Sequence, residues 1–406
     1  MEPELNVWAL PDLRAAAAAE DWPALLKGWR AATRSSQSRL GALVGLAQPD
    51  VSAIEKRRRQ VTSVEVRQRI IEGLGVPPEL RVGAASDLPL PSLVLPGAVA
   101  EPEADRLRRV AEGGVRLDAA SLDAMERLLA EHRRAEDTLG SRVMNRVVAA
   151  QFQAVAGLYD QARGPHADRL VKLMAEYAQF LAWMAQDQDN ATVALGWFDR
   201  SYDWALESGH GDMAATTLSM KAHLAWSNAQ GRRCVRLGEA AAVTPGASAA
   251  TRAMAVQMAG RGHALEGEAV EAYRRLDEAQ QMIARAVDVP PWLYFYGESW
   301  FSAQRGMADT HMKNWSGAVD NLVAGLAGFG PGFRRDRAWY GACLAHAYAG
   351  AGEADVALST ALGVIDDASE IGRPHAWGEL HTVAALLLRR RAQEGRALVC
   401  ALAELD

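Results

Sequence analysis

The sequence predicts an all-α protein in two parts: a small N-terminal bundle of five helices and a long C-terminal stack of helix pairs. Three observations carry this. In residues 35–60, SSQSRLGALVGLAQPDVSAIEKRRRQ, apolar positions recur three and four apart on both sides of a glycine, the spacing of two short helices around a tight turn. From residue 168 onward, turn signals separate helix starts near Asp168, Asp212, Ser248, Trp292, Phe333 and Arg373, a loose period of roughly 40 residues that suits a helical solenoid. Charge also divides unevenly. Residues 24–81 hold eleven Lys/Arg against five Asp/Glu, a net of +6, so the other 348 residues of this −6 chain carry −12. A basic footprint on one small segment is what contact with phosphates requires.

The N-terminus, MEPELNVWALPDL, is acidic and lacks the basic start of a signal peptide. No apolar run approaches the roughly 18 residues of a membrane span, so a cytoplasmic protein with no membrane partner is expected. Residues 6–21 are Ala-rich and favour a helix, with Trp8, Leu10, Leu13, Trp22, Leu25, Leu26 and Trp29 covering the back of the bundle. The next helix is expected over residues 23–33. The one after it is capped by Ser35 or Ser36 and turns Leu40, Leu43 and Val44 to one face. Gly45 permits the sharp turn. A further helix from about Gln48 buries Val51 and Ile54 and leaves Gln48, Asp50 and Ser52 outward, with Pro49 and Ala53 beside them. The last is expected over 63–74, capped by Thr62 or Ser63 and ended by Gly73 or Gly75; Pro77 and Pro78 then open a short helix or turn.

Two helices joined by a three- or four-residue turn are the helix-turn-helix pattern. Residues 24–80 resemble the lambda-repressor-like (XRE) family through Arg30, Ser36-Gln37, Leu40-Gly41, Gly45-Leu46, Gln48, Ser52 and Ile54-Glu55. The resemblance implies an ion pair between Arg30 and Glu55, a phosphate contact from Gln37 and a base contact from Gln48, whose amide suits the adenine edge. Lys56, Arg57, Arg58 and Arg59 would hold phosphates. Two positions depart from the family: Ala47 stands where a Ser or Thr cap is usual, and Arg57 where a glycine often ends the helix. A non-glycine left-handed residue costs roughly 1 kcal/mol, so the helix is expected to run one residue further.

Residues 1–81 are thus expected to form a DNA-binding domain. The segment 82–105, with prolines at 89, 91, 96 and 102, reads as a linker. Residues 106–163 read as a helical hairpin broken at Gly140, serving either as a dimer contact or as the first layer of the C-terminal stack. Residues 164–406 resemble tetratricopeptide repeats, most clearly in AHAYAGAGEADVALSTALGVI (345–365), where small Ala345, Ala357 and Ala361 let paired helices approach. Weaker units carry Ala308, Trp315, Ala318 and Leu322, and Ala264, Ala269, Ala272 and Ala279. One pair cannot bury its apolar face alone, so neighbours supply the core and the polar last pair acts as a cap. The combined resemblance is to bacterial regulators in which a solenoid binds a signal and controls an attached DNA-binding domain.

No phosphate loop, zinc-protease or dinucleotide motif is present, and nothing asks for an enzyme, a metal or a cofactor. The three cysteines, Cys234, Cys343 and Cys400, form no pair and read as small buried apolar residues. GLAGFGPGF at 325–333 reads as a loop between repeats. A ligand is suggested by aromatics crowded near cations: Tyr294, Tyr296 and Trp300 with Arg305, and Trp339 with Arg335, while Asn314 offers an amide for a peptide backbone. The expected partners are a double-stranded DNA operator, a small-molecule or peptide ligand, and a second copy, since one helix-turn-helix reads a half-site. The alternative is an interaction scaffold whose helix-turn-helix only docks; the +6 charge speaks against it.

Overall fold

The helical periods of the sequence become helices throughout, and among the described residues there is no strand. The computed structural model describes residues 7–18, 21–59, 61, 64–76, 101–111, 116–371 and 374–405. The chain forms two units, Met1–Pro89 and Leu90–Asp406. The caps expected at Thr62 or Ser63, the turn at Pro77 and Pro78, and positions 82–100 of the expected linker lie outside the described residues.

In the first unit a 3₁₀ turn at Val7–Ala9 precedes α1 (Pro11–Ala18), α2 (Trp22–Thr33), α3 (Gln37–Val44), α4 (Gln48–Glu55) and α5 (Val64–Gly73). Asp21 caps α2 by accepting from the Ala24 amide, and Ser36 caps α3 by accepting from Arg39. Ala47, as its side chain dictates, gives α4 no such bond. Gly45 ends α3 at φ +63°, the left-handed conformation a Cβ disfavours. Leu25, Leu26, Leu40, Val44, Val51, Ile54 and Ile70 are fully buried together. Leu43, expected on that face, is exposed, as is Leu10. The buried stripe of α3 is Leu40, Gly41 and Val44, because the Gly41 carbonyl accepts the Leu46 amide at 2.8 Å and draws the turn over that side.

The second unit begins with α6 (Glu101–Ala111), so positions 101–105, expected as linker, are helical instead. Arg106 on α6 pairs with Asp118, the cap of the next helix, which holds this stretch in place. Next come α7 (Ala119–Leu139), α8 (Ser141–Ala156), α9 (Pro165–Asp187), α10 (Ala191–Glu207), α11 (Gly211–Ser227), α12 (Gly231–Ala242), α13 (Ala249–Leu265) and α14 (Ala269–Ala284). After a 3₁₀ turn at Pro291–Leu293 come α15 (Glu298–His311), α16 (Trp315–Gly328), α17 (Arg334–Ala351), α18 (Ala354–Leu362), α19 (Ile365–Ile371), α20 (Pro374–Arg390) and α21 (Ala392–Ala403).

From α9 to α17 the odd-numbered helices pack on one another as well as on their chain neighbours. They form an inner layer. In α13, thirteen of seventeen residues are buried, against three of sixteen in the outer α14. Small residues set the spacing: a Cβ on Gly325 of α16 would lie 2.8 Å from the backbone nitrogen of Ala303 in α15. Cys234 and Cys343 are buried in this stack, but Cys400, expected buried, is exposed on the outer face of α21. No helix among the described residues is long and apolar enough to cross a membrane.

The inner-to-outer turns repeat one backbone device. The residue before each outer helix donates its amide five residues back: Asn190 to Ala185, Gln230 to Ala225, Glu268 to His263 and Asn314 to Asp309, each at 2.9 Å, and Glu353 to Tyr348 at 3.0 Å. Closing that bond requires a left-handed residue just before it. Gly267 and Gly352 supply it, but so do Asp189, Ala229 and Lys313 at φ between +55° and +60°.

No atom lies within 4 Å of a Cβ built on Gly267, so substitution there reads backbone preference alone. Gly267→Ala is expected to lower the unfolding free energy by about 1 kcal/mol, and Ala229→Gly to raise it by about 0.5–1 kcal/mol. Urea denaturation of the two variants checks both signs.

Candidate functional site

In the first unit the expected ion pair is present and belongs to a longer chain of contacts. Arg30 grips Glu55 with two bonds, Nε to Oε1 at 2.8 Å and Nη2 to Oε2 at 3.1 Å. Gln37 Nε2 donates to the same Oε2 at 2.7 Å, and Gln48 Nε2 donates to Gln37 Oε1 at 2.7 Å. Burial pushes the Glu55 carboxyl up, but the bonds from Arg30 and Gln37 outweigh it and hold the pKa below the usual carboxylate range. The chain ends at the exposed side chain of Gln48, the first residue of α4. Its orientation is therefore braced from α2 and α3, and its own carbonyl oxygen stays available.

Pro49 is exposed beside Gln48, whereas Asp50, Ser52 and Ala53 are half-buried. The Asp50 carboxylate is engaged by Arg59. Lys56, Arg57, Arg58 and Arg59 form an exposed row after the helix. The expected extension of α4 does not occur. The helix ends at Glu55, and Arg57 takes the left-handed conformation at φ +56°. The closing bonds explain this: Arg57 donates to the Ile54 carbonyl at 2.9 Å and Arg58 to the Ala53 carbonyl at 2.8 Å, which only a reversal at Arg57 permits. Asp21 then holds the Arg57 guanidinium at 2.8 Å.

In the second unit the inner helices α9, α11, α13, α15 and α17, together with α7 and residues 292–295, enclose a cavity of about 120 Å³. Its walls are mainly Trp183, Met220, Met254, Met258, Trp292 and Trp300. One end is strongly polar. Arg335 of α17 meets Glu136 of α7 and reaches Asp137 at 2.8 Å, while Tyr294 donates to Asp137. Burial, with help from Asp336 and Glu136, raises the Asp137 carboxyl to about 7 in spite of Arg335 and the Tyr294 hydroxyl. Arg133 pairs separately with Glu176 at 3.0 Å. Elsewhere on its wall Arg261 lies over the ring of Trp226, 3.8 Å from its centroid.

Of the residues expected to hold a ligand, Tyr294, Trp300, Arg335 and Trp339 line this cavity. Three others are elsewhere. Tyr296 is buried among aromatics, 4.7 Å from Trp300 and 4.9 Å from Phe301, and does not line it. Arg305 is held by Asp277 and lies over Tyr273, so its charge is already matched away from the cavity. Asn314 caps α16, accepting from the Gly317 amide and donating to Asp309 at 2.9 Å. A local structural need claims its amide. Sequence reasoning missed Arg133, Glu136, Asp137, Trp183, His223 and Arg261. A signal did exist: Thr216, Met220 and His223 on α11 repeat the four-then-three spacing of Met254, Met258 and Arg261 on α13. That spacing is one face of each inner helix.

No known protein family matches the chain, and no curated protein does.

His132 is fully buried on α7, and burial lowers its pKa to about 4. Its folded value lies below the unfolded one near 6.5, so its neutral form supports the fold above pH 6.5 and that support is lost as pH falls toward 4, by roughly 3 kcal/mol at the limit. Asp137, raised to about 7, acts in the opposite sense over an overlapping window. Comparing His132→Gln with wild type in urea at pH 7.5 and 5 therefore isolates the histidine; the variant is expected to lose less stability on acidification.

Proposed function

We propose that the protein is a sequence-specific DNA-binding transcriptional regulator. In this reading the first unit is a lambda-repressor-like helix-turn-helix domain, and the second is a tetratricopeptide-like solenoid that takes up a small-molecule or peptide signal in the cytoplasm. A homodimer would present two recognition helices to a two-part operator, and the ligand would act by binding one dimer geometry better than another.

The observation that carries this reading is the hydrogen-bonded chain Arg30–Glu55–Gln37–Gln48. It commits three half-buried side chains to steadying one exposed amide at the start of α4, and four consecutive exposed cations follow the end of the same helix. A glutamine fixed in that way suits an adenine edge, which it meets through both its donor and its acceptor. The repeated turns and the small-residue packing of the second unit support the solenoid half of the reading.

Purified protein incubated with random duplexes at low salt should enrich a defined sequence. Gln48→Ala is expected to reduce discrimination between that sequence and random DNA by about 1–3 kcal/mol. Arg58→Ala should weaken both alike and flatten the salt dependence by about one phosphate contact. Affinity that does not change with salt, or equal losses on both duplexes for Gln48→Ala, would turn the assignment toward a docking module.

A further inference from the structure

We infer that the cavity of the second unit binds an apolar small molecule bearing a single anionic group, a monocarboxylate on the scale of an aromatic acid, and that Arg261 receives the anion. This rests on reading the cavity as a ligand site and adds the chemical class of the ligand.

Three arginines are buried among the described residues: Arg133, Arg261 and Arg335. Arg133 has Glu176, and Arg335 has Glu136 and Asp137. Arg261, only 2% exposed, has no carboxylate partner among the described residues. Its Nη1 lies 3.6 Å from the Met258 sulfur, its plane covers Trp226, and its Nε is buried without a hydrogen-bond partner. The groups that act on its charge are the hydroxyls of Tyr340 and Tyr296 and the thiols of Cys234 and Cys343, with no carboxylate among them. Burial lowers its pKa to about 10, which still leaves it charged at neutral pH. A buried cation lacking a counter-ion is strongly unfavourable, and the Trp226 face offsets that only in part. An anion arriving from outside completes the site, with the free Nε–H and the guanidinium edge as donors.

The rest of the cavity defines what carries that anion. Met220, Met254, Met258 and Trp300 offer an apolar body its contacts, and methionines adapt to irregular shapes. The volume of about 120 Å³ is near that of the roughly 150 Å³ apolar cavities that take benzene. Around Arg335 stand the carboxyl groups of Glu136, Asp137 and Asp336, more than one guanidinium matches even with the Asp137 carboxyl raised to about 7 by burial. A second anionic group on the ligand would meet that excess of carboxylates, which excludes dianions.

The test uses the full chain and defined probes: benzoate and phenylacetate, their primary amides, phenethylamine, and 1,4-phenylenediacetate as the dianion. Calorimetric titration is expected to show each monocarboxylate binding at least tenfold more tightly than its amide, with the amine and the dianion weaker still. Arg261→Met, which keeps the length of the side chain without its charge, should abolish the acid-over-amide preference while melting at or above the wild-type temperature. Arg261→Lys should keep part of the preference. Acids and amides binding alike would overturn the anionic class and leave the cavity reading intact. An unchanged preference in Arg261→Met would remove Arg261 from the site. Failure of every probe, whatever its charge, would overturn both the class and the reading of the cavity as a ligand site.

Discussion

Everything enclosed by the second unit depends on Arg335. Its guanidinium reaches from α17 back to Glu136 and Asp137 on α7, nearly 200 positions earlier in the chain. A stack of helix pairs joined only to their neighbours would leave its inner surface open along its length. The contact between α17 and α7 narrows that surface and turns a groove into a partly enclosed cavity. The same carboxylates are tied further: Ser141 sits 2.6 Å from Glu136 and 2.8 Å from Asp187, and Tyr294 bonds Asp137. Removing one partner from a buried ion pair typically costs about 3–5 kcal/mol, because the other charge is left stranded. Losing Arg335 would strand two carboxylates at once.

Comparison of Arg335 with Arg261 separates what a buried charge does for a fold from what it does for a site. Arg335 is surrounded by carboxylates that lift its pKa well above the usual value despite burial. Arg261 is surrounded by sulfur, aromatic rings and hydroxyls, and burial lowers its pKa. Both sit on inner helices at positions that face the cavity. Replacing a fully paired buried ion by apolar groups is often neutral, whereas an unpaired one is a standing penalty. A penalty of that kind, where the other buried arginines among the described residues are matched, is what supports the proposal that Arg261 serves an incoming anion.

The polar chemistry of the first unit links the two ends of α4, Glu55 and Gln48, through Gln37. Glu55 is the junction, accepting from Arg30 and Gln37 while nearly sealed from solvent, with a side chain 6% exposed. Two helices are thereby locked to the end of α4, and Gln48 inherits their rigidity through Gln37. The reversal at Arg57 arises at the same place. Its left-handed backbone costs roughly 1 kcal/mol, offset by the closing hydrogen bonds and by Asp21. The reversal turns the chain sharply after the last turn of the helix, so that Lys56 to Arg59 form an exposed cluster instead of continuing along the helix axis.

What the sequence makes legible is whatever depends on neighbours a few residues away. Helix starts near Asp168, Asp212, Ser248 and Phe333 lie within three positions of the observed starts, because caps and turns act locally, whereas the helix expected near Trp292 begins at Glu298, after a 3₁₀ turn that Pro290 and Pro291 open. The Arg30–Glu55 pair is legible through a matching order of residues, not through geometry. Misses fall where a distant or competing partner decides. Asn314 looks like a free amide until α16 needs a cap, and Arg305 looks like a free cation until Asp277 is brought beside it. The carboxylates of α7 look like the solvated face of a helix, since nothing near them in the sequence announces Arg335. The backbone preference of Arg57, weighed alone, favours a longer helix, but it leaves out the three amides that the reversal satisfies. In each case a local rule gives the right default, and a contact made only in three dimensions overrides it.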